Sequence, residues 1–189
     1  MLNKKVFLDC GANVGGGFNH FKNLYPLSEY EYWLFEPNPE CYKVLLEELA
    51  HVPQVRMIWA ALHTENTWAT LNFRTVYDVG ASIITAHNSA YDMPDHMHHV
   101  RVPVVNLDAL VSQLYTQGYQ IIIKLDVESS EYDILERMIQ TGNLDKIHTL
   151  YCEFHSQYMN DADKAIYKQR EHVILNHIHD SQMNFHHWI

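Results

Sequence analysis

The order of apolar runs and turn signals predicts a doubly wound α/β fold with a mostly parallel sheet, in one domain spanning residues 1–189. Three observations point there. The first sixty residues read as strand, glycine-rich loop, helix, strand, capped helix and strand. Residues 121–127 read as the clearest buried strand of the chain, with a helical pattern on either side. The glycine-rich loop directly follows the first strand, and α/β sheets meet their ligands outside the carboxyl ends of such strands.

Taken in order, residues 6–9 form the first strand, ended by the run from Gly11 to Gly17. A helix over residues 19–25 stops near Pro26, because proline cannot continue the hydrogen-bond ladder. Residues 30–36 read as an aromatic and apolar strand closed by Pro37. Asn38 caps the next helix with Pro39 in its first turn, and Val44, Leu45, Leu46 and Leu49 supply the apolar side. Residues 55–62 read as the third strand. Residues 68–76 alternate as an antiparallel excursion, and the histidine-rich stretch 77–100 reads as a long loop that can close over a ligand. Leu107, Leu110, Val111 and Leu114 recur at helical spacing, with Gly118 ending the helix. After the strand at 121–127 come a helix over 130–139, a strand over 149–154, a long helix over 162–178 and a terminal strand over 183–189.

The composition narrows the function classes. Apolar residues make up 47% and charged residues 19%, a globular balance. The formal net charge of −10 argues against general nucleic-acid or membrane-surface binding, which needs a surplus of Lys and Arg. Cys10, Cys41 and Cys152 form no CxxC pair, which fits a reducing compartment. The opening residues run straight into a short strand, too short for a signal peptide, so the expected location is the cytoplasm.

The loop Asp9-Cys-Gly11-Ala-Asn13-Val-Gly15 carries the first functional signal. Asp9, at the strand end, can accept hydrogen bonds from the ammonium of an amino-acid-like ligand. Glu36, at the end of the second strand, can take both hydroxyls of a ribose. The glycines do not follow G-x-G-x-x-G, since Asn13 occupies the second glycine place. A pyrophosphate loses its close backbone approach there, whereas S-adenosylmethionine has no phosphates to seat. A turn without a ligand is the alternative.

Charged residues at two later strand ends carry the second signal. Lys124, Asp126 and Glu128 alternate with Leu125 and Val127, so they share one face of a strand. Tyr151, Glu153 and His155 share a face in the next strand by the same rule. Unpaired charge is expensive in a central strand, and exposure at a ligand site relieves that penalty. If the two strands are neighbours, the sets converge. Asp126, Glu128 and His155 are then the candidates to take a proton from an acceptor hydroxyl, and Lys124 can stabilise developing negative charge. An ion-pair network is the alternative, and a divalent metal on Asp126, Glu153 and His155 is a third reading that is not expected. Asp95-His-Met-His-His99 and His186-His-Trp188 read as solvated segments rather than metal sites.

Several blocks together resemble FkbM-type methyltransferases: Phe7-Leu-Asp-Cys-Gly-Ala-Asn-Val-Gly15, Phe35-Glu-Pro-Asn-Pro39, Asn106-Leu-Asp108, Ile123-Lys-Leu-Asp-Val-Glu128 with Glu131, and Glu153-Phe-His155. They occur in the family's order. The resemblance implies the class I methyltransferase fold, S-adenosylmethionine as cofactor, and methylation of a hydroxyl on a small molecule or sugar. It implies that Asp9, Gly11, Asn13 and Gly15 line the methionine end of the cofactor and that Glu36 holds the ribose; Lys124, Asp126 and Glu128 fall in the family's most distinctive block, and Asp126 lies where its strand is expected to meet the cofactor. One block departs from the pattern. The family usually has glycine after the matching Glu, and here Ser129-Ser130 follows Glu128. The chain also leaves room for only a shortened C-terminal hairpin, whose open edge a second copy can cover. A cofactor-binding module without catalysis and a nucleotide-dependent oxidoreductase are the competing readings.

Overall fold

In the computed structural model, which describes residues 4–88, 98–181 and 183–188, the first strand β1 (Lys4–Cys10) is buried on both faces. Its Val6, Phe7 and Leu8 supply the apolar surface that a central parallel strand needs. Helix α1 (Gly16–Phe21) follows the glycine loop, then β2 (Glu31–Phe35) and α2 (Pro39–Leu49). Asn38 caps α2 as its sequence predicts, its side chain accepting from the Glu40 N–H at 3.1 Å. β3 (Val55–Ile58) ends early. Residues 55–62 are not one strand: the chain leaves the sheet at Trp59 and Ala60 and starts β4 (Ala61–His63) in a second sheet.

β5 (Thr67–Phe73) is the expected antiparallel excursion and pairs with β6 (His98–Asn106). The stretch 77–100 is therefore not wholly a loop, since β6 begins at His98. Of the histidine-rich segment, residues 95–97 lie outside the described residues, and His98 and His99 belong to β6. Helix α3 (Leu107–Thr116) starts at Asn106, whose side chain accepts from the Ala109 N–H at 2.9 Å. Then come β7 (Tyr119–Leu125), α4 (Glu131–Thr141), β8 (Ile147–Cys152), α5 (Lys164–Asp180) and β9 (Asn184–His187).

The large sheet has the order β3-β2-β1-β7-β8-β9, and every pairing in it is parallel. The chain builds outward from β1 to β2 and β3, then returns to the other side of β1 with β7. That reversal between β1 and β7 is where an open α/β sheet forms a crevice. One face of the sheet packs on α3, α4 and α5 through Val111, Leu114, Ile134, Leu135 and Ile174. The other carries an aromatic cluster in which Phe7 lies against Phe21 and Tyr32. A small sheet of order β4-β6-β5, with Leu71, Val102 and Val104 buried, stands beside the crevice. The last strand β9 pairs parallel to β8, and among the described residues nothing pairs with its outer edge. No helix among the described residues is long and apolar enough to cross a membrane.

Candidate active site

A cavity of about 520 Å³ opens at the carboxyl ends of β1, β2, β7 and β8. That size suits a cofactor-sized ligand. The glycine loop forms one wall, with Gly11, Asn13 and Gly16 on the surface. Gly11 is required there: its φ is +83°, and a Cβ on it would stand 1.9 Å from the Asp126 carbonyl oxygen. The loop is thus clamped to the exit of β7. Lys124 Nζ strengthens the clamp by donating to the Gly11 carbonyl at 2.6 Å.

Glu36 reaches the cavity from the end of β2 and is 4% exposed. Its two carboxylate oxygens accept the N–H groups of Asn13 and Asn38, each at 2.7 Å. Burial pushes its carboxyl up to about 7, against the pull of those two N–H donors. Asp9 and Gly15 are not on the cavity wall. Asp9 is fully buried behind the loop, against Gly17, with its Oδ1 at 3.5 Å from Lys124 Nζ. Gly15 sits at the start of α1 with φ +93° and faces Leu45. Both support the loop from below rather than form the cavity wall.

The charged sets do converge, though not as strand residues. β7 ends at Leu125 and β8 at Cys152, so Asp126, Glu128, Glu153 and His155 lie in the turns beyond them. Tyr151 stays on the sheet among the aromatics, its hydroxyl 2.8 Å from that of Tyr25. Asp126 pairs with Lys124 at 3.0 Å. His155 Nε2 lies 3.4 Å from Glu128, 3.6 Å from Asp126 and 3.7 Å from Glu153, while its Nδ1 lies 3.1 Å from the buried Glu131. Burial alone lowers an imidazole, but these carboxylates outweigh it and hold His155 up at about 10. The surrounding carboxylates thus favour the protonated form of the His155 ring. Burial pushes Glu128 up to about 8 despite His155, and pushes Glu153 up as well, with Asp126 adding to the rise. Lys124 is held above its ordinary value, because Asp9 and Asp126 outweigh its burial.

The turn that carries Glu128 is strained. Glu128 has φ +52° and Ser129 φ +81°, a backbone region that favours glycine. The departure from the family pattern thus falls where the backbone asks for glycine most.

Sequence reasoning missed one group in the centre of the site. His87 is 1% exposed, and its Nε2 lies 3.2 Å from Glu128 Oε2. Burial and the neighbouring His155 push it down to about 4, so it is neutral. It arrives on the segment 74–88, which is built into the cavity wall rather than left loose. Asp78 accepts from the Arg74 and Gly80 N–H groups at 2.6 and 3.0 Å, and the Ser82 hydroxyl donates to the Glu128 carbonyl at 2.5 Å. Nothing in the local sequence distinguishes His87 from its neighbours in a histidine-rich stretch; only the β5–β6 excursion brings it across. Trp188 was also expected to be solvated. It lines the cavity instead, with its ring 4.9 Å from that of Phe21, and His186 stacks on Tyr151.

A family model described as the methyltransferase FkbM domain matches residues 9–188. The chain belongs to the FkbM methyltransferase family. Among solved structures it is similar to the methyltransferase FkbM from Methylobacillus flagellatus KT, with a TM-score of 0.52 and 14% sequence identity. The match covers 92% of this chain and 37% of that one, so the FkbM domain here spans little more than a third of its neighbour's length. At that identity the likeness establishes the fold, an α/β Rossmann-like sheet. No curated protein matches the chain.

Proposed function

We propose that this FkbM-family chain transfers a methyl group from S-adenosylmethionine to a hydroxyl of a small molecule or sugar. One observation carries the reading: the glycine loop, the Glu36 carboxylate and the turns after β7 and β8 all face a single cavity. The residues present fit the cofactor. Gly16 borders open space that a Cβ would fill, and Asn13 stands where the dinucleotide fingerprint has its second glycine. Each Glu36 oxygen accepts only one N–H group among the described residues, and a carboxylate has about four acceptor sites, so both ribose hydroxyls can still be held. When bound, S-adenosylmethionine supplies an electrophilic methyl group.

The chain's own residues then have separable tasks. Lys124 fixes the glycine loop and balances Asp126 and Asp9. Asp126 stands between the loop and the acceptor side. Methylating a hydroxyl releases one proton, and the Asp126 carboxylate on the cavity wall is placed to take it. His87 and His155 hold the Glu128 carboxylate beside it from two sides, at 3.2 and 3.4 Å. The test is an incubation with methyl-labelled S-adenosylmethionine and a panel of sugars, polyols and phenols. Label in a hydroxyl-bearing acceptor, with equimolar S-adenosylhomocysteine, supports the reading. Label transferred only to amines or thiols would remove the hydroxyl assignment.

A further inference from the structure

Two aromatic side chains with no task in the proposed reaction stand on the cavity wall. Tyr158 closes the short 3-10 turn Ser156–Tyr158, and Trp188 directly follows β9. Both lie across the sheet from the ribose end of the site. Glu36 follows β2, and the sheet order puts β8 three strands and β9 four strands away from it. At about 4.8 Å per strand, these separations are roughly 14 and 19 Å. A cofactor whose ribose is held at Glu36 therefore leaves this side of the cavity to a second ligand.

Each ring borders the group of acids and histidines. The Tyr158 ring centre lies 5.8 Å from that of His155 and 6.1 Å from that of His87. Trp188 is tied to the end of β8, its N–H donating to the Cys152 carbonyl at 3.0 Å. The parallel register pairs Tyr151 with His186, and their rings stack 4.8 Å apart. Side chains two positions further along return to the same face, which sets Glu153 and Trp188 side by side, and both reach the cavity. Tyr158 is 42% exposed, and Trp188 packs on Phe21 while still forming part of the wall. A large apolar surface left facing a cavity is the informative kind of exposure, and Tyr and Trp offer rigid contact area with few torsions to freeze.

We propose that Tyr158 and Trp188 form the acceptor subsite, and that the acceptor hydroxyl is carried on a ring, phenolic or pyranose, whose apolar face lies on their side chains. Glu153 beside Trp188, and Asp126 on the same wall, accept the ring's hydroxyls and so orient the one to be methylated. An acyclic chain offers no such face and loses more torsional freedom on binding. That the ring is the methyl acceptor rests on the proposed function; that it binds at these two side chains does not.

The full chain is screened by saturation-transfer-difference NMR against methyl pyranosides, simple phenols and acyclic polyols, with and without saturating S-adenosylhomocysteine. The expected result is binding of one ring class and none of the polyols, and the class that binds tells a sugar acceptor from a phenolic one. Trp188→Ala and Tyr158→Ala should each weaken ring binding about 2- to 10-fold, the scale of one aromatic contact, with S-adenosylhomocysteine affinity kept. Trp188→Phe and Tyr158→Phe should restore it, since they keep an aromatic face. Polyols bound as well as rings, no ring compound bound by the wild-type chain, or alanine variants with wild-type ring affinity would each overturn the proposal. So would loss of ring binding in the phenylalanine variants, which would trace it to the polar atoms. If S-adenosylhomocysteine binds and labelled methyl reaches only acyclic hydroxyls, this inference fails alone. If rings bind through Tyr158 and Trp188 and S-adenosylhomocysteine does not bind, the proposed function fails alone.

Discussion

Ser129→Gly should stabilise the protein, which is unusual for a substitution at a buried position. Ser129 is fully buried with φ +81°. Left-handed backbone costs a non-glycine residue roughly 1–2 kcal/mol. Its hydroxyl has no hydrogen-bond partner among the described residues, and leaving such a group unsatisfied costs about 1–3 kcal/mol. Against this, glycine loses about 0.4–1 kcal/mol through the extra freedom of the unfolded chain. The balance favours Ser129→Gly by about 2 kcal/mol, or roughly 4–8 °C in melting temperature for a chain of this size. Urea titration with a common m-value reads the difference directly. Ser129→Ala separates the two contributions, because it removes the hydroxyl and keeps the strain; it should gain less than glycine. A melting temperature unchanged or lowered by Ser129→Gly would refute the assignment of strain to this turn.

Three other substitutions test separate parts of the account. Glu36→Ala should weaken S-adenosylhomocysteine binding by about 1.5–3 kcal/mol, the scale of a lost hydrogen bond to a charged group, as read by calorimetry on a folded variant. Asp126→Asn should lower kcat at least about a hundredfold once an acceptor is found, with a smaller change in S-adenosylhomocysteine affinity, since the glycine loop and Glu36 remain. Asp133 is held down at about 2, chiefly by hydrogen bonding to His63, against its partial burial and with help from Arg170. A depressed carboxyl stabilises the fold above its unfolded value of 3.8 and loses that contribution as pH falls through 2. Asp133→Asn should therefore be less stable than wild type at pH 7, and the two urea midpoints should converge between pH 4 and pH 2. A gap that persists at pH 2 would trace the loss to packing rather than to charge.

Much of the large sheet was legible because its strands are buried on both faces. Residues 121–123, three isoleucines, have no other stable place than a central parallel strand, and Asn38-Pro39 marks a helix start by capping chemistry alone. The limits came where side-chain pattern and backbone path diverge. Lys124, Asp126 and Glu128 alternate as strand residues do, yet the strand ends at Leu125 because the glycine loop must meet the Asp126 carbonyl. The convergence of the charges was predicted correctly, but through turns rather than along a strand face. Asp9 lies deeper than its sequence position suggests for a related reason. Its position at a strand end suggested exposure to a ligand, whereas Gly17 lets α1 close directly over it. His87 was hidden most completely, since its partner Glu128 is distant in sequence and the contact depends on the small sheet of β4, β5 and β6.

The most direct test of the central claim is a calorimetric titration of the chain with S-adenosylhomocysteine, S-adenosylmethionine and NAD under the same conditions. The cavity, the glycine loop with Asn13 in place of the fingerprint's second glycine, and Glu36 at the end of β2 predict one equivalent of each adenosyl ligand bound and no heat from NAD. Saturable binding of NAD with none of S-adenosylhomocysteine would contradict the account and return the chain to the nucleotide-dependent class.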